Sequence, residues 1–281
     1  MHKKVTAALI LVLSLMLVIT GCGNNGNEPL NQAQNQNQTQ AGGQTDKAKE
    51  AEAEAVAGAS EKSYTPHDQL KDSYDIIIIG AGGAGMTAAL EAKASGMNPV
   101  IFEKMPVAGG NTTKSSSGMN ASETKFQKEQ GIEDSNDKFY EETLKGGHNT
   151  NDTELLRYFV DHSAEAIDWL DAIGIRLNNL TITGGMSEKR THRPEDGSAV
   201  GQYLVDGLVR NVEEQGIPLF VNANVKEITQ QDGKVSGVKV VLNDTEEKTI
   251  TAKAVIVATG GYGANPEMIT QFRPDLKGYV T

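Results

Sequence analysis

One cysteine in 281 residues excludes a disulfide within the chain and any CxxCH haem attachment. The five histidines stand at no metal-ligand spacing from one another or from that cysteine, so no metal site is expected. Basic residues are the minority charge: 26 Lys and Arg against 37 Asp and Glu leave a net charge of −11. Such a chain offers no cationic footprint for a phosphate backbone, which excludes nucleic acid as a partner class. A long hydrophobic run is also missing. The apolar stretch at residues 5–19 falls short of the ~20 residues that span a bilayer as a helix.

What is present begins with Met1-His2-Lys3-Lys4, that short apolar stretch, and then Thr20-Gly21-Cys22. A positive end followed by a short apolar run matches the first two regions of a secretory signal. The ending Ile19-Thr20-Gly21-Cys22 resembles a bacterial lipobox, which implies cleavage before Cys22 and lipidation of its thiol. The expected location is extracytoplasmic, anchored to the cell membrane as a lipoprotein. Residues 23–41 are dominated by Asn and Gln, and 46–62 by Ala, Glu and Lys. Neither stretch carries enough apolar surface to offset ordering entropy, so a flexible spacer is expected. The expected organisation is a signal peptide over 1–21, lipidated Cys22 with a disordered linker to 66, and a globular domain over 67–281.

The texture changes at Tyr74. Asp75-Ile76-Ile77-Ile78-Ile79 is a short β-branched run of the kind buried on both faces of a parallel sheet. A glycine-rich turn and an Ala-rich helix to Ser95 follow, closed by Gly96, and Pro99-Val100-Ile101-Phe102 makes a second strand. This is a βαβ unit. Helical periodicity returns at 137–144, and again at 152–173, where Leu155, Leu156, Phe159, Val160, Ile167 and Leu170 share a face between an Asx cap and Gly174. A helix over 200–215 turns Leu204, Leu208 and Val212 inward. Short strands follow at 219–222, 225–229, 235–242, 248–251 and 254–258, with Asp232-Gly233 as a hairpin turn. No closing element is expected over 262–281. The fold class is α/β: a Rossmann-like domain with three layers, a parallel sheet and a small β-meander.

Gly80-x-Gly82-x-x-Gly85 lies between strand and helix, and Glu103 closes the next strand. Gly80 permits the tight turn, Gly82 lets backbone approach a pyrophosphate, and Gly85 allows close helix–strand packing. The helix N-terminus offers unpaired N–H groups and partial positive charge to the phosphates. Glu103 would accept from ribose hydroxyls, which both NAD and FAD present. Gly109-Gly110-Asn111-Thr112 and Lys114-Ser115-Ser116-Ser117-Gly118-Met119-Asn120 resemble the flavin loop of the succinate dehydrogenase/fumarate reductase flavoproteins. Lys145-Gly146-Gly147-His148-Asn149, Ile167-Asp168-Trp169-Leu170, Thr191-His192-Arg193-Pro194 and Ala258-Thr259-Gly260-Gly261-Tyr262 resemble the soluble fumarate and urocanate reductases, in the same order.

That resemblance implies a Rossmann-like FAD/NAD(P)-binding domain, expected to be incomplete at its C-terminus, with FAD contacts at Gly80, Gly82, Ala84, Gly85, Glu103, Lys104, Gly110, Asn111, Thr112, Ser117, Gly118 and Gly260, and the Val225 backbone near the adenine. Relatives that attach FAD covalently carry a His where Asn111-Thr112 stands, so the FAD here is expected to be non-covalent. Ser117 occupies a position that is often Gly in the relatives, which bears on substrate preference. For His192 and Arg193 the favoured reading is holding the loop or contacting cofactor phosphate, ahead of catalysis. His148 and His162 read as surface or helix-face residues, and His67 as the linker edge.

The reaction implied is hydride transfer from flavin N5 to the β-carbon of an α,β-unsaturated carboxylate such as fumarate or urocanate, with electrons from a membrane donor. The family's proton-donating arginine and carboxylate clamps are expected beyond residue 281, so no catalytic residue is assigned and the chain by itself is expected to be inactive. Two alternatives stand beside this: a flavin dehydrogenase of the ketosteroid type, and a non-catalytic FAD-binding piece.

Overall fold

In the isoleucine run, alternation decides the architecture, because successive side chains of a strand point to opposite faces. The computed structural model describes residues 63–279, so the expected signal run, Cys22 and nearly all of the spacer lie outside the described residues. Strand β1 (Ser73–Ile79) sends Ile78 into one apolar cluster and Ile77 into another, and both are fully buried. Burial on this scale is worth about 1.5–3 kcal/mol for each side chain, so both faces of the sheet need a cover. Helix α1 (Gly83–Ala94) covers the first face with Met86, Ala89 and Leu90. It ends at Gly96 (φ +78), where Met97 N–H donates to Ala92 O and Gly96 N–H to Lys93 O. That is a Schellman stop, and a left-handed residue there favours glycine.

Strand β2 (Pro99–Phe102) pairs parallel with β1, Ile77 opposite Val100, which completes the expected βαβ unit. A 3-10 turn (Gly110–Lys114), strand β3 (Met119–Asn120), and helices α2 (Lys125–Glu129) and α3 (Asn136–Gly146) come next. The helix expected over 152–173 is two helices, α4 (Thr153–Asp161) and α5 (Ser163–Ala172). The break falls at His162 (φ −102, ψ 5), where the Ser163 hydroxyl donates to Val160 O at 2.8 Å and competes with the helical ladder. Leu156, Val160, Ile167 and Leu170 face inward, but Leu155 and Phe159 point to solvent, at 67% and 50% exposure. The expected ends hold: Asp152 accepts from Glu154 and Leu155 N–H, and Gly174 (φ +77) follows α5.

Strands β4 (Asn179–Thr181) and β5 (Thr191–Arg193) join β3 in a small antiparallel sheet, in the order β3-β5-β4. Helix α6 (Val200–Glu214) lays Val205, Leu208, Val209 and Val212 beside α1 on the first face. Strands β6 (Leu219–Phe220), β7 (Ala223–Gln231), β8 (Lys234–Leu242) and β9 (Glu246–Val257) complete the main sheet, in the order β6-β2-β1-β9-β8-β7. Asp232 and Gly233, both at positive φ, make the β7–β8 hairpin turn as expected. The two strands expected at 248–251 and 254–258 are one, since no turn residue interrupts 252–253. The first half of β9 pairs antiparallel with β8 and the second parallel with β1, with Thr251 shared by both ladders. The meander is therefore continuous with the parallel sheet, and its Val238, Val240, Leu242 and Ile250 cover the second face against Ile77, Val100 and Phe102.

Two ends differ from expectation. Helix α7 (Pro266–Phe272) stands where no element was expected; Asn265 caps it by accepting from Glu267 and Met268 N–H, with Pro at its start. At the other end, Tyr64 and Thr65 are bonded to the folded body, ahead of residue 67.

Candidate cofactor site

The site forms where β1 turns into α1. Gly80 (φ +105) donates its N–H to Phe102 O at 2.8 Å, and a Cβ there would lie 2.5 Å from Ala258 O. A Cβ on Gly85 would lie 1.9 Å from Gly80 O, so the helix can approach the strand end only because that side chain is absent. Gly82 starts α1 without any side-chain cap. Thr112 Oγ1 accepts from Gly83 N–H at 3.0 Å, while the N–H groups of Ala84 and Gly85 donate to no protein acceptor among the described residues. These orphan donors, at the positive end of a twelve-residue helix, form a receptor for an anionic group.

Glu103 follows the end of β2 and is buried, at 7% exposure. Oε2 accepts from Ala81 N–H at 2.8 Å and Oε1 from Met105 N–H at 2.9 Å, which fixes the carboxylate next to the glycine turn. Lys104 follows on the surface. Ala223 N–H donates to Glu103 O at 2.9 Å, which brings the start of β7, and Val225 two residues along it, to the same side. Gly260 (φ +72) follows the Ala258 carbonyl that touches Gly80, and nothing lies within 4 Å of where its Cβ would be.

The second loop is docked on the first. Gly109 N–H donates to Ala81 O at 2.8 Å, and Gly82 and Gly109 form an isolated bridge. Gly110 (φ +52) and the exposed Asn111 continue from it. The far end of the loop rests on α6: Gly201 N–H donates to Ser115 O at 3.0 Å and Val200 N–H to Ser117 O at 3.1 Å. A Cβ on Gly201 would lie within 2.7 Å of three loop carbonyls, those of Thr112, Thr113 and Ser115. Gly118 is pressed against β5, with His192 O 2.3 Å from its would-be Cβ. Sequence reasoning missed Gly201, although a glycine in the first turn of a helix, where alanine has the better propensity, is a signal of close approach.

His192 and Arg193 hold this loop from behind. Arg193 donates to Ser116 O at 2.9 Å and to Gly197 O at 3.0 Å. His192 is fully buried; its Nδ1 lies 2.7 Å from Arg190 O and its Nε2 2.9 Å from the Thr124 hydroxyl. A carbonyl partner requires Nδ1 to donate, so Nε2 accepts, and burial pushes the imidazole pKa below its usual value. A neutral ring with both nitrogens engaged is a structural pin.

Arg190 carries the strongest charge cluster. Its guanidinium is fully buried, grips Asp134 with two bonds of 2.6 and 2.7 Å, and also donates to Glu142. Burial would raise the Glu142 pKa, but bonds from Ser187 and Arg190 outweigh it and take the carboxyl down to about 2. Among the described residues no His, Cys, Asp and Glu group could hold a metal ion, and no helix is long and apolar enough to cross a membrane.

A glycine cradle that any Cβ would fill, orphan amides at a helix start and a carboxylate beside them fit a dinucleotide pyrophosphate and its ribose. Known proteins agree with this. Residues 75–280 match the model of the FAD binding domain family. The chain is 52% identical over 215 residues to the NADH:fumarate oxidoreductase of Klebsiella pneumoniae, covering 76% of this chain and 23% of that protein. It is 31% identical over 220 residues to the urocanate reductase of Eggerthella lenta, covering 74% of this chain and 35% of that protein. The open conformation of a flavocytochrome c3 fumarate reductase superimposes with a TM-score of 0.71 at 37% identity, covering 83% of this chain and 39% of that one. The chain thus spans between about a quarter and two fifths of the length of these proteins. It belongs to the FAD binding domain family, and FAD is its cofactor.

Proposed function

We propose that this chain is the FAD-holding part of an extracytoplasmic, lipid-anchored oxidoreductase that reduces the C=C bond of an α,β-unsaturated carboxylate. The observation that carries the cofactor half is the close Gly80–Gly85 packing, which sets the start of α1, with the Ala84 and Gly85 N–H groups unpaired, beside the turn whose Ala81 N–H donates to the Glu103 carboxylate. In this reading Gly80, Gly82, Ala84 and Gly85 receive the pyrophosphate, Glu103 and Lys104 the adenosine ribose, and Val225 the adenine. Gly110, Asn111 and Thr112 hold the middle of the cofactor, Ser117 and Gly118 approach its ring, and Gly260 closes over the nucleotide. FAD, once bound and reduced by an electron donor, would supply a hydride from N5. The protein's own contribution is to fix the loop: Arg193, Val200 and Gly201 spend their donors on its carbonyls, so it is ordered before cofactor arrives.

The FAD is held non-covalently. No histidine occurs between Glu103 and Asn120, and the buried His192 has both ring nitrogens engaged. The substrate class rests on relatives above 30% identity that are named fumarate or urocanate reductases. A 3-ketosteroid-delta4-(5alpha)-dehydrogenase shares 21% identity at a TM-score of 0.63, which speaks for fold alone.

A chimera tests whether this chain can serve as the FAD-holding part of such an enzyme: residues 63–279 replace the matching stretch of the Klebsiella pneumoniae enzyme, the rest of which is kept. Fumarate-dependent oxidation of a reduced dye is expected to survive. A chimera that carries FAD and reduces no unsaturated carboxylate would refute the reading. The anchor rests on residues 19–22, and Cys22→Ser is expected to move the protein from the membrane to the soluble fraction. Unchanged membrane retention of that variant would sink the lipoprotein assignment.

A further inference from the structure

Tyr64 and Thr65 precede the first strand, yet both are built into the fold. Thr65 N–H donates to Leu219 O at 2.9 Å, and its hydroxyl accepts from Leu219 N–H at 3.0 Å. One residue thus satisfies both backbone groups of Leu219 on the outer side of β6, the edge strand. His67 lies next along this edge, with Nε2 2.8 Å from Val221 O and its ring 6.1 Å from that of Phe220.

Tyr64 reaches elsewhere. Its ring packs on the helix-side core, and its hydroxyl oxygen accepts from the N–H of Ala108 at 3.0 Å. Ala108 is 3% exposed and immediately precedes Gly109, which bonds Ala81 O and bridges Gly82. Three residues further, Thr112 holds Gly83 N–H at the start of α1. A continuous series of peptide units and hydrogen bonds therefore runs from the Tyr64 phenol to the pyrophosphate receptor. A buried N–H without an acceptor is costly, so the phenol is what lets this part of the loop remain buried.

We propose that residues 64–67 form a strap tying the N-terminal segment to the cofactor loop, in which Tyr64 is a positioning residue for FAD, acting through Ala108 and Gly109. The inference rests on the FAD reading of the cleft. A chain cut at residue 67 would keep its sheet and lose the loop's outer support.

The test uses the full chain with Tyr64→Phe and, separately, Thr65→Val. Three quantities are measured: FAD affinity of flavin-stripped protein, amide exchange across residues 105–112, and the melting midpoint without FAD. Tyr64→Phe keeps the ring packing, and is expected to speed exchange at Ala108 and weaken FAD about tenfold. Thr65→Val leaves Ala108 paired, and is expected to lower the midpoint without speeding exchange across 105–112. Unchanged exchange and affinity in Tyr64→Phe overturn the strap. Equal loss of both in Thr65→Val also overturns it, since Tyr64 would then matter only through edge stability. A wild-type chain that takes up no FAD refutes the reading of the cleft instead, and exchange at Ala108 then decides the strap alone.

Discussion

Replacing Gly85 by alanine sets two physical effects against each other. Alanine is the better helix former, by up to about 1 kcal/mol at an interior position, so propensity alone predicts a more stable protein. The structure predicts the opposite. The new Cβ would lie 1.9 Å from Gly80 O, 3.1 Å from Gly80 C and 3.3 Å from an Ile78 methyl. Two of these three neighbours are backbone atoms of the turn, and the carbonyl contact must open by more than about 1 Å before it is tolerable, in a junction packed like a crystal. Overpacking of this kind costs about 1–3 kcal/mol, which lowers the melting midpoint by roughly 2–12 °C in a domain of this size. Displacing α1 also moves its amides from the receptor, so FAD affinity should fall by at least about tenfold, the equivalent of 1.4 kcal/mol. Gly83→Ala is the control. Its Cβ would meet only the Thr112 side chain, at 3.1 Å, which can give way, so a smaller loss of stability is expected. Thermal melts of the apo protein and flavin titrations of both variants decide the matter. A Gly85→Ala protein that melts at or above wild type with unchanged FAD affinity would refute the argument.

Other predictions concern charge. Arg190→Ala strands the fully buried Asp134 carboxylate and should cost about 3–5 kcal/mol in urea denaturation, since breaking a buried pair leaves an uncompensated charge; a loss under 1 kcal/mol would show that water enters freely. Glu142 titrates at about 2 when folded, against an ordinary 4.5. A carboxyl depressed by folding contributes stability above the unfolded value and loses it as pH falls through the folded one, so its share disappears between about pH 4.5 and 2. Glu142→Gln should remove that part of the acid dependence, which acid titrations of both proteins would show. His192 adds a second acid penalty, because its folded pKa lies below 6.5 and a neutral buried ring resists protonation as pH drops below that value.

Local chemistry was legible wherever a residue type has one physical use. The isoleucine run, the Asp232-Gly233 turn, the Asp152 cap and the glycines after α1 and α5 could be read off directly, because each serves its own neighbours in sequence. The geometry of the candidate site was legible for the same reason at its glycine turn, since Gly80, Gly82, Gly85 and Glu103 belong to one βαβ unit. What stayed hidden depends on partners distant in sequence. Thr251 sits in two ladders at once, and no local pattern announces that a single strand will serve an antiparallel and a parallel neighbour. Gly201 is explained only by carbonyls some 90 residues earlier, and Tyr64 only by Ala108. Two misses were avoidable. Thr124 and Gln127 form a capping box before α2, and Asn265-Pro266 is a helix start, both visible as sequence signatures. The outward turn of Leu155 and Phe159 and the break at His162 are both concealed by the apolar periodicity over 152–173.

The central claim is that this chain carries the FAD receptor and holds the cofactor without a covalent bond. The most direct test is an absorbance spectrum of the full chain, mixed with FAD and freed of unbound flavin, taken before and after denaturation. The account predicts flavin bands that travel with the folded protein and pass entirely into the supernatant once it is denatured. Protein that elutes without flavin at saturating FAD would contradict the receptor, and flavin that stays with the denatured polypeptide would contradict the non-covalent bond.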